Sequence, residues 1–180
     1  MNEINYKSTG GVQEEINEQI AIAGNCKVGI VELGVLFGET SAKFCQTTPN
    51  IPVYGIDPII TDSMNINLIG NIDTIKSNTR QFDNFKFIRD YSFNVVKDWN
   101  RKFDYLFIDA SHLYGDVKRD FEDWFPLLES GGIVSLHDSA CNRGGPHYWE
   151  GPSKLADELI NDPRVEYVKT VFCLTIFKKI

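Results

Sequence analysis

Phe103-Asp104-Tyr105-Leu106-Phe107-Ile108-Asp109 is the stretch that decides the fold. Apart from Asp104 it is an unbroken apolar run that ends on an acid. Strands with one wet face alternate in polarity, whereas a strand covered on both faces is apolar throughout, so this one belongs inside a parallel sheet. Parallel neighbours need crossover segments, and the sequence on either side supplies them. Upstream, 27–33, 52–56 and Phe85–Ile88 read as strands, interleaved with helical spacing at 12–23, Glu39–Thr47 and 92–99 and a loose helix within 61–80. Downstream, Val117, Phe121, Trp124, Phe125 and Leu128 mark the core stripe of a helix over 114–128. Gly131-Gly132 is expected to end that helix, and 133–136 to form the fifth strand. A long loop at 139–152, a helix at 153–160 and two closing strands near 165–170 and 173–177 complete the chain. This alternation predicts an α/β layer fold.

Composition narrows the function. The chain has 180 residues, 42% of them hydrophobic, which suits a single domain over 1–180. Its net charge of −7, with no basic cluster beyond Lys178-Lys179, argues against nucleic acid as a partner. No apolar run approaches the roughly 20 residues of a membrane span. Residues 1–10 are polar and unlike a signal peptide, so a cytoplasmic location is expected. Cys26, Cys45, Cys141 and Cys173 are scattered, without a Cys-x-x-Cys pair, and read as reduced thiols.

In an open parallel sheet, ligands bind at the carboxyl ends of the strands. The first strand ends in Glu32-Leu33-Gly34-Val35-Leu36-Phe37-Gly38, where two glycines permit a sharp turn. The second ends at Asp57, placed to accept both hydroxyls of a ribose. The pattern is E-x-G-x-x-x-G, not the G-x-G-x-x-G that supports a pyrophosphate on a helix N-terminus. Glu32 puts a negative charge beside the turn, which repels phosphate and suits a cationic ligand such as a sulfonium amino acid.

With these residues the chain resembles class I methyltransferases. The resemblance is strongest in residues 103–112 (FDYLFIDASH) and 131–138 (GGIVSLHD), which look like the metal-dependent sugar and natural-product O-methyltransferases. It implies a Rossmann-like, doubly wound, mostly parallel seven-stranded sheet with an antiparallel last strand and helices on both faces. It also implies S-adenosylmethionine as cofactor, held by Glu32, Gly34, Gly38, Thr40, Asp57, Asp90, Tyr91 and Asp109. Asp109 and Asp138 correspond to Mg²⁺ ligands, and His112 to the general base of some members. Two positions depart from the relatives: His137 stands where some carry a third metal-binding acid, and Ser139 where catechol-type enzymes carry Asn. His137 is read as a packing neighbour of the ligands.

A physical check agrees with these roles. Tips of adjacent strands lie roughly 5 Å apart, so carboxylates on Asp109 and Asp138 can converge on one cation at about 2.1 Å. An unperturbed imidazole titrates near 6.5, so His112 could take a hydroxyl proton at neutral pH. The expected acceptor is a small molecule with a sugar or natural-product hydroxyl, and His147, Tyr148 and Trp149 are candidates to line its pocket. Alternatives stay open: a nicotinamide-dependent reductase, a non-catalytic cofactor-binding or interaction domain, N- in place of O-methylation, and assembly as a homo-oligomer.

Overall fold

The computed structural model describes residues 13–60, 69–140 and 149–180. Along the chain run α1 (Gln13–Asn25), β1 (Ile30–Leu33), α2 (Glu39–Thr47), β2 (Val53–Ile56), α3 (Ile72–Thr79) and β3 (Phe85–Ile88). They are followed by α4 (Ser92–Val95), β4 (Phe103–Ile108), α5 (Tyr114–Trp124), β5 (Leu128–Leu136), α6 (Glu150–Leu159), β6 (Val165–Val171) and β7 (Leu174–Lys179). All seven strands join one sheet in the order β3-β2-β1-β4-β5-β7-β6. Pairing is parallel from β3 to β5, and β7 lies antiparallel to both β5 and β6. Among the described residues, no helix is long and apolar enough to cross a membrane.

The central strand is covered on both sides, as its composition requires. Leu106 and Ile108 pack with Val31, Leu33, Val134 and the α5 residues Phe121 and Trp124. Tyr105 and Phe107 face the other way, onto Ala23 of α1 and Phe44 of α2. The Phe44 ring meets Tyr105 and Phe107 edge-on, with centroids 5.5 and 5.8 Å apart. Each such fully buried side chain contributes about 1.5–3 kcal/mol. Tyr105 carries a hydroxyl into this layer and satisfies it on Ser135 Oγ at 2.8 Å.

Asp104, the exception in the apolar run, is a staple. Its carboxylate accepts the backbone N–H groups of Lys27, Val28 and Gly29 at 2.6 to 3.2 Å, tying the turn before β1 to the start of β4.

Several boundaries differ from the sequence expectation. The helix expected over 114–128 stops at Trp124 because Pro126 has no N–H to continue the ladder, and a short 3-10 turn (Phe125–Leu127) follows. Gly131 and Gly132 therefore end no helix; they lie inside β5, which begins at Leu128. A Cβ on Gly132 would meet Glu129 O at 2.8 Å, so close backbone packing is the glycine's reason. Helix α6 begins at Glu150, three residues early, and the helix expected at 92–99 splits into α4 and a 3-10 turn (Val96–Asp98). Of the loose helix within 61–80, the described part is α3, capped by Asn71, whose side chain accepts Thr74 N–H; residues 61–68 lie outside the described residues. The hairpin between β6 and β7 turns at Phe172, with φ 49°. Cys26 and Cys45 are free, but Cys173 is disulfide-bonded, which corrects the reading of four reduced thiols.

Candidate active site

Strand register builds the site. Leu33 of β1 lies opposite Ile56 of β2 and Ile108 of β4, and Ile108 lies opposite Leu136 of β5. The next residue on each strand is Gly34, Asp57, Asp109 and His137, and the parallel ladder continues through all four. Gly34 N–H donates to Ile56 O, Asp57 N–H to Ile88 O, Asp109 N–H to Leu33 O and His137 N–H to Ile108 O, at 2.9 to 3.2 Å. The chain reverses direction across the sheet between β1 and β4, which is where an open sheet has its crevice. A cavity of about 560 Å³ opens there, within the range of small-molecule sites.

Glu32, Gly34, Thr40, Asp57, Tyr91 and Asp109 all line this cavity, and so do His112 and Asp138. Two expected residues do not. Gly38, at φ 76°, closes the glycine turn by donating its N–H to Val35 O and packs against Ile75 of α3. Asp90 turns its carboxylate to Tyr91 N–H and Asn94 Nδ2, just ahead of α4.

The walls are acidic and unevenly solvated. Glu32 is buried and accepts a hydrogen bond from Ser41 Oγ. Burial pushes its carboxyl up to about 8, against the lowering effect of Ser41. The Asp57 carboxylate accepts the N–H groups of Val35 (2.8 Å), Leu36 (2.9 Å) and Ile59 (2.7 Å), so it fixes the glycine turn as well as facing the cavity. Buried Asp120 of α5 accepts from Ser92 Oγ, and burial pushes it up to about 6. Sequence reading passed over Asp120, although an acid three residues after Val117 and next to Phe121 falls on the buried stripe of its helix.

On the wall formed by the tips of β4 and β5, Asp109, His137 and Asp138 converge, with one donor atom from each within 4.8 Å of the others. His137 Nδ1 lies 3.1 Å from Asp109 Oδ1 and 3.3 Å from Asp138 Oδ2. Its Nε2 faces Oε2 of buried Glu15, from α1, at 3.6 Å. Burial opposes charge on this imidazole, but the carboxylates of Asp109, Asp138 and Glu15 outweigh it and hold the ring well above the usual histidine range. Asp138 is the converse: burial would raise it, yet the hydrogen bond with His112 and the adjoining His137 imidazole hold it well below the usual carboxylate range. His112 Nε2 lies 3.0 Å from Asp138 Oδ2, and its ring stacks on Trp149 with centroids 4.3 Å apart. Trp149 thus reaches the cavity; His147 and Tyr148 lie outside the described residues.

A family model described as a methyltransferase domain matches residues 31–139, more than half of the chain and the span that carries every strand tip of the site. The chain belongs to the methyltransferase-domain family. Solved structures agree at the level of fold. The O-methyltransferase NovP superposes with a TM-score of 0.73 at 14% identity, over 92% of this chain and 79% of that one. A Podospora anserina methyltransferase, PaMTH1, bound to S-adenosylhomocysteine gives 0.70 at 17% identity, over 95% and 80%. The Streptomyces achromogenes O-methyltransferase TomG, in complex with S-adenosylmethionine, gives 0.67 at 14%, over 94% and 81%. Among curated sequences, the Sinorhizobium fredii protein y4gI is 27% identical over 71% of this chain, and the mimivirus protein R132 is 25% identical over 72%. Both bear the name "uncharacterized", and the match spans 15% and 59% of their lengths.

Proposed function

We propose that this methyltransferase domain moves a methyl group from S-adenosylmethionine to a hydroxyl oxygen of a small molecule, a sugar or secondary metabolite, beside a divalent cation. One observation carries the proposal: Glu32, Asp57, Asp109 and Asp138 line a single cavity at the switch point of the sheet. The described residues then act as one catalytic unit.

S-adenosylmethionine would supply a methyl group made electrophilic by its sulfonium. Glu32 and Gly34 would hold its charged amino-acid end, because a buried carboxylate gains most from a cation brought next to it. Asp57 and Tyr91 would meet the nucleoside, with Thr40 on the adjoining wall. NovP and TomG are described as O-methyltransferases, and the structure of TomG contains S-adenosylmethionine; these likenesses support the cofactor and the oxygen acceptor.

The acid pair at the tips of β4 and β5 fits a dication. Two carboxylates concentrate negative charge on one point, with the His137 ring beside them, and Mg²⁺ is the ion that the sequence resemblance implies. Asp109 and Asp138 would hold it, and its charge would stabilise an acceptor oxygen that has lost its proton. His112 would take that proton, and the negative charge of Asp138, 3.0 Å from its Nε2, would favour the resulting imidazolium. Trp149 stacked on the ring limits the directions in which it can swing.

Calorimetry with S-adenosylhomocysteine, with and without Mg²⁺, tests the reading, alongside thermal shifts with NAD. Binding of S-adenosylhomocysteine and no shift with NAD is the expected result. A shift with NAD alone would favour the reductase and overturn the proposal.

A further inference from the structure

We infer that His137 is a third metal ligand, oriented by Glu15, and that the site takes a first-row transition dication such as Mn²⁺, Co²⁺ or Zn²⁺ in preference to Mg²⁺. The inference deepens the proposed function and rests on its assignment of Asp109 and Asp138 to a cation.

The register argument comes first. His137, not Asp138, is the β5 residue level with Asp109 at the strand tips, and its backbone continues the parallel ladder onto Ile108 O. The side chain is therefore fixed at its root. Nδ1 is buried and completes no hydrogen bond, although Asp109 Oδ1 and Asp138 Oδ2 lie within 3.3 Å of it. Those two oxygens are close enough to bond a proton on Nδ1 but lie off the direction in which it would point. A buried imidazole nitrogen held against two carboxylate oxygens that it does not bond has the spacing of a coordination sphere. With bonds of about 2.1 Å, adjacent ligand atoms stand about 3.0 Å apart in an octahedron and about 3.4 Å in a tetrahedron. The observed 3.1 and 3.3 Å fall in that interval.

Behind the ring, Glu15 supplies what a ligating histidine needs. A metal-bound imidazole commonly directs its other N–H at a carboxylate, which fixes the tautomer and raises ligand basicity. Glu15 Oε2 faces Nε2, while its Oε1 accepts the N–H of Cys173, so the carboxylate is anchored to the β7 side of the sheet and cannot turn away. It is buried on α1, where a charge without a cationic partner would be costly.

The nitrogen decides the class of metal. Mg²⁺ prefers an all-oxygen octahedron and keeps several waters, whereas imidazole suits the later first-row ions. Replacing an acid by His137 removes one negative charge and adds a softer donor, and both changes act against Mg²⁺.

The test uses the whole chain, labelled with ¹⁵N-histidine and loaded with Mn²⁺, and reads nitrogen hyperfine coupling by pulsed EPR. Coupling in the wild type, its loss in His137→Gln with its retention in His112→Gln, and at least a hundredfold excess of Mg²⁺ needed to displace Mn²⁺ are expected. Glu15→Gln should weaken Mn²⁺ by about tenfold or more. Wild-type Mn²⁺ signals without nitrogen coupling, displacement by equimolar Mg²⁺, or no Mn²⁺ bound would overturn the inference, and the wild-type measurement decides even if a variant fails to fold. Calorimetry of S-adenosylhomocysteine on the same sample separates the two readings. Cofactor binding without nitrogen coupling sinks this inference alone, and absence of cofactor binding sinks the methyl-transfer proposal itself.

Discussion

A Cβ on Gly34 would sit 2.0 Å from the carbonyl oxygen of Asp109, so the cofactor turn and the acid at the tip of β4 are in backbone contact. Gly34 also holds φ 88°, where side chains are strained. Gly34→Ala is expected to destabilise the fold by more than about 4 kcal/mol, the range reserved for substitutions that force backbone apart. Gly115→Ala, in the first turn of α5 with nothing within 4 Å, should stabilise by about 0.5–1 kcal/mol. Urea denaturation of the two variants checks both signs.

Glu32 sets stability against binding. Its folded carboxyl titrates near 8 and its unfolded one near 4.5, so between those values the folded state holds a proton that the unfolded state has lost. Stability therefore falls as pH rises through that window, by about 5 kcal/mol at most. Glu32→Gln keeps an acceptor for Ser41 and removes the titration. The variant should melt higher than wild type at pH 8, match it more closely near pH 5, and bind S-adenosylmethionine more than tenfold weaker. Melting curves at the two pH values, with calorimetry at pH 8, check these outcomes.

Asp57 and Asp90, both at strand ends and both expected from sequence to touch the cofactor, should now behave differently. Asp57→Ala strips three N–H acceptors from the turns around the cavity and is expected to cost about 2 kcal/mol of stability and at least tenfold in S-adenosylhomocysteine affinity. Asp90→Ala loses only exposed local hydrogen bonds, to Tyr91 N–H and Asn94 Nδ2, and should leave that affinity within about twofold. Equal losses of affinity in the two variants would contradict this division.

Asp104→Ala should lower stability by about 2 kcal/mol, through three orphaned N–H groups, with cofactor affinity unchanged. The staple lies at the opposite end of β4 from the cavity. A denaturation curve and one titration suffice.

The sheet was readable because burial on both faces leaves a plain signature: Tyr105 and Phe107 feed one core, Leu106 and Ile108 the other, and no polar alternation survives. The tip acids were readable because each directly follows such a run. Contacts that depend on tertiary placement were not. Glu15 sits in an ordinary amphipathic helix, and nothing local announces that Cys173, in the β6–β7 turn, and His137 meet it across 158 and 122 positions of chain. The start of β5 was hidden because Gly131-Gly132 imitates a helix stop, while Pro126, the true one, is inconspicuous between Phe125 and Leu127. His137 needed the register: only after Leu136 is set opposite Ile108 does the histidine fall level with Asp109.

Asp138 takes its place beside the cavity with φ 54°. Among residues with a side chain, Asn and Asp tolerate that backbone best. The position therefore has a narrow mutational neighbourhood: a longer acid costs more in that backbone, whereas Asn fits it and surrenders the charge. A lineage that abandoned its cation would find that exit one substitution away, and divergent members of the family should show Asn far more often than Glu at this site.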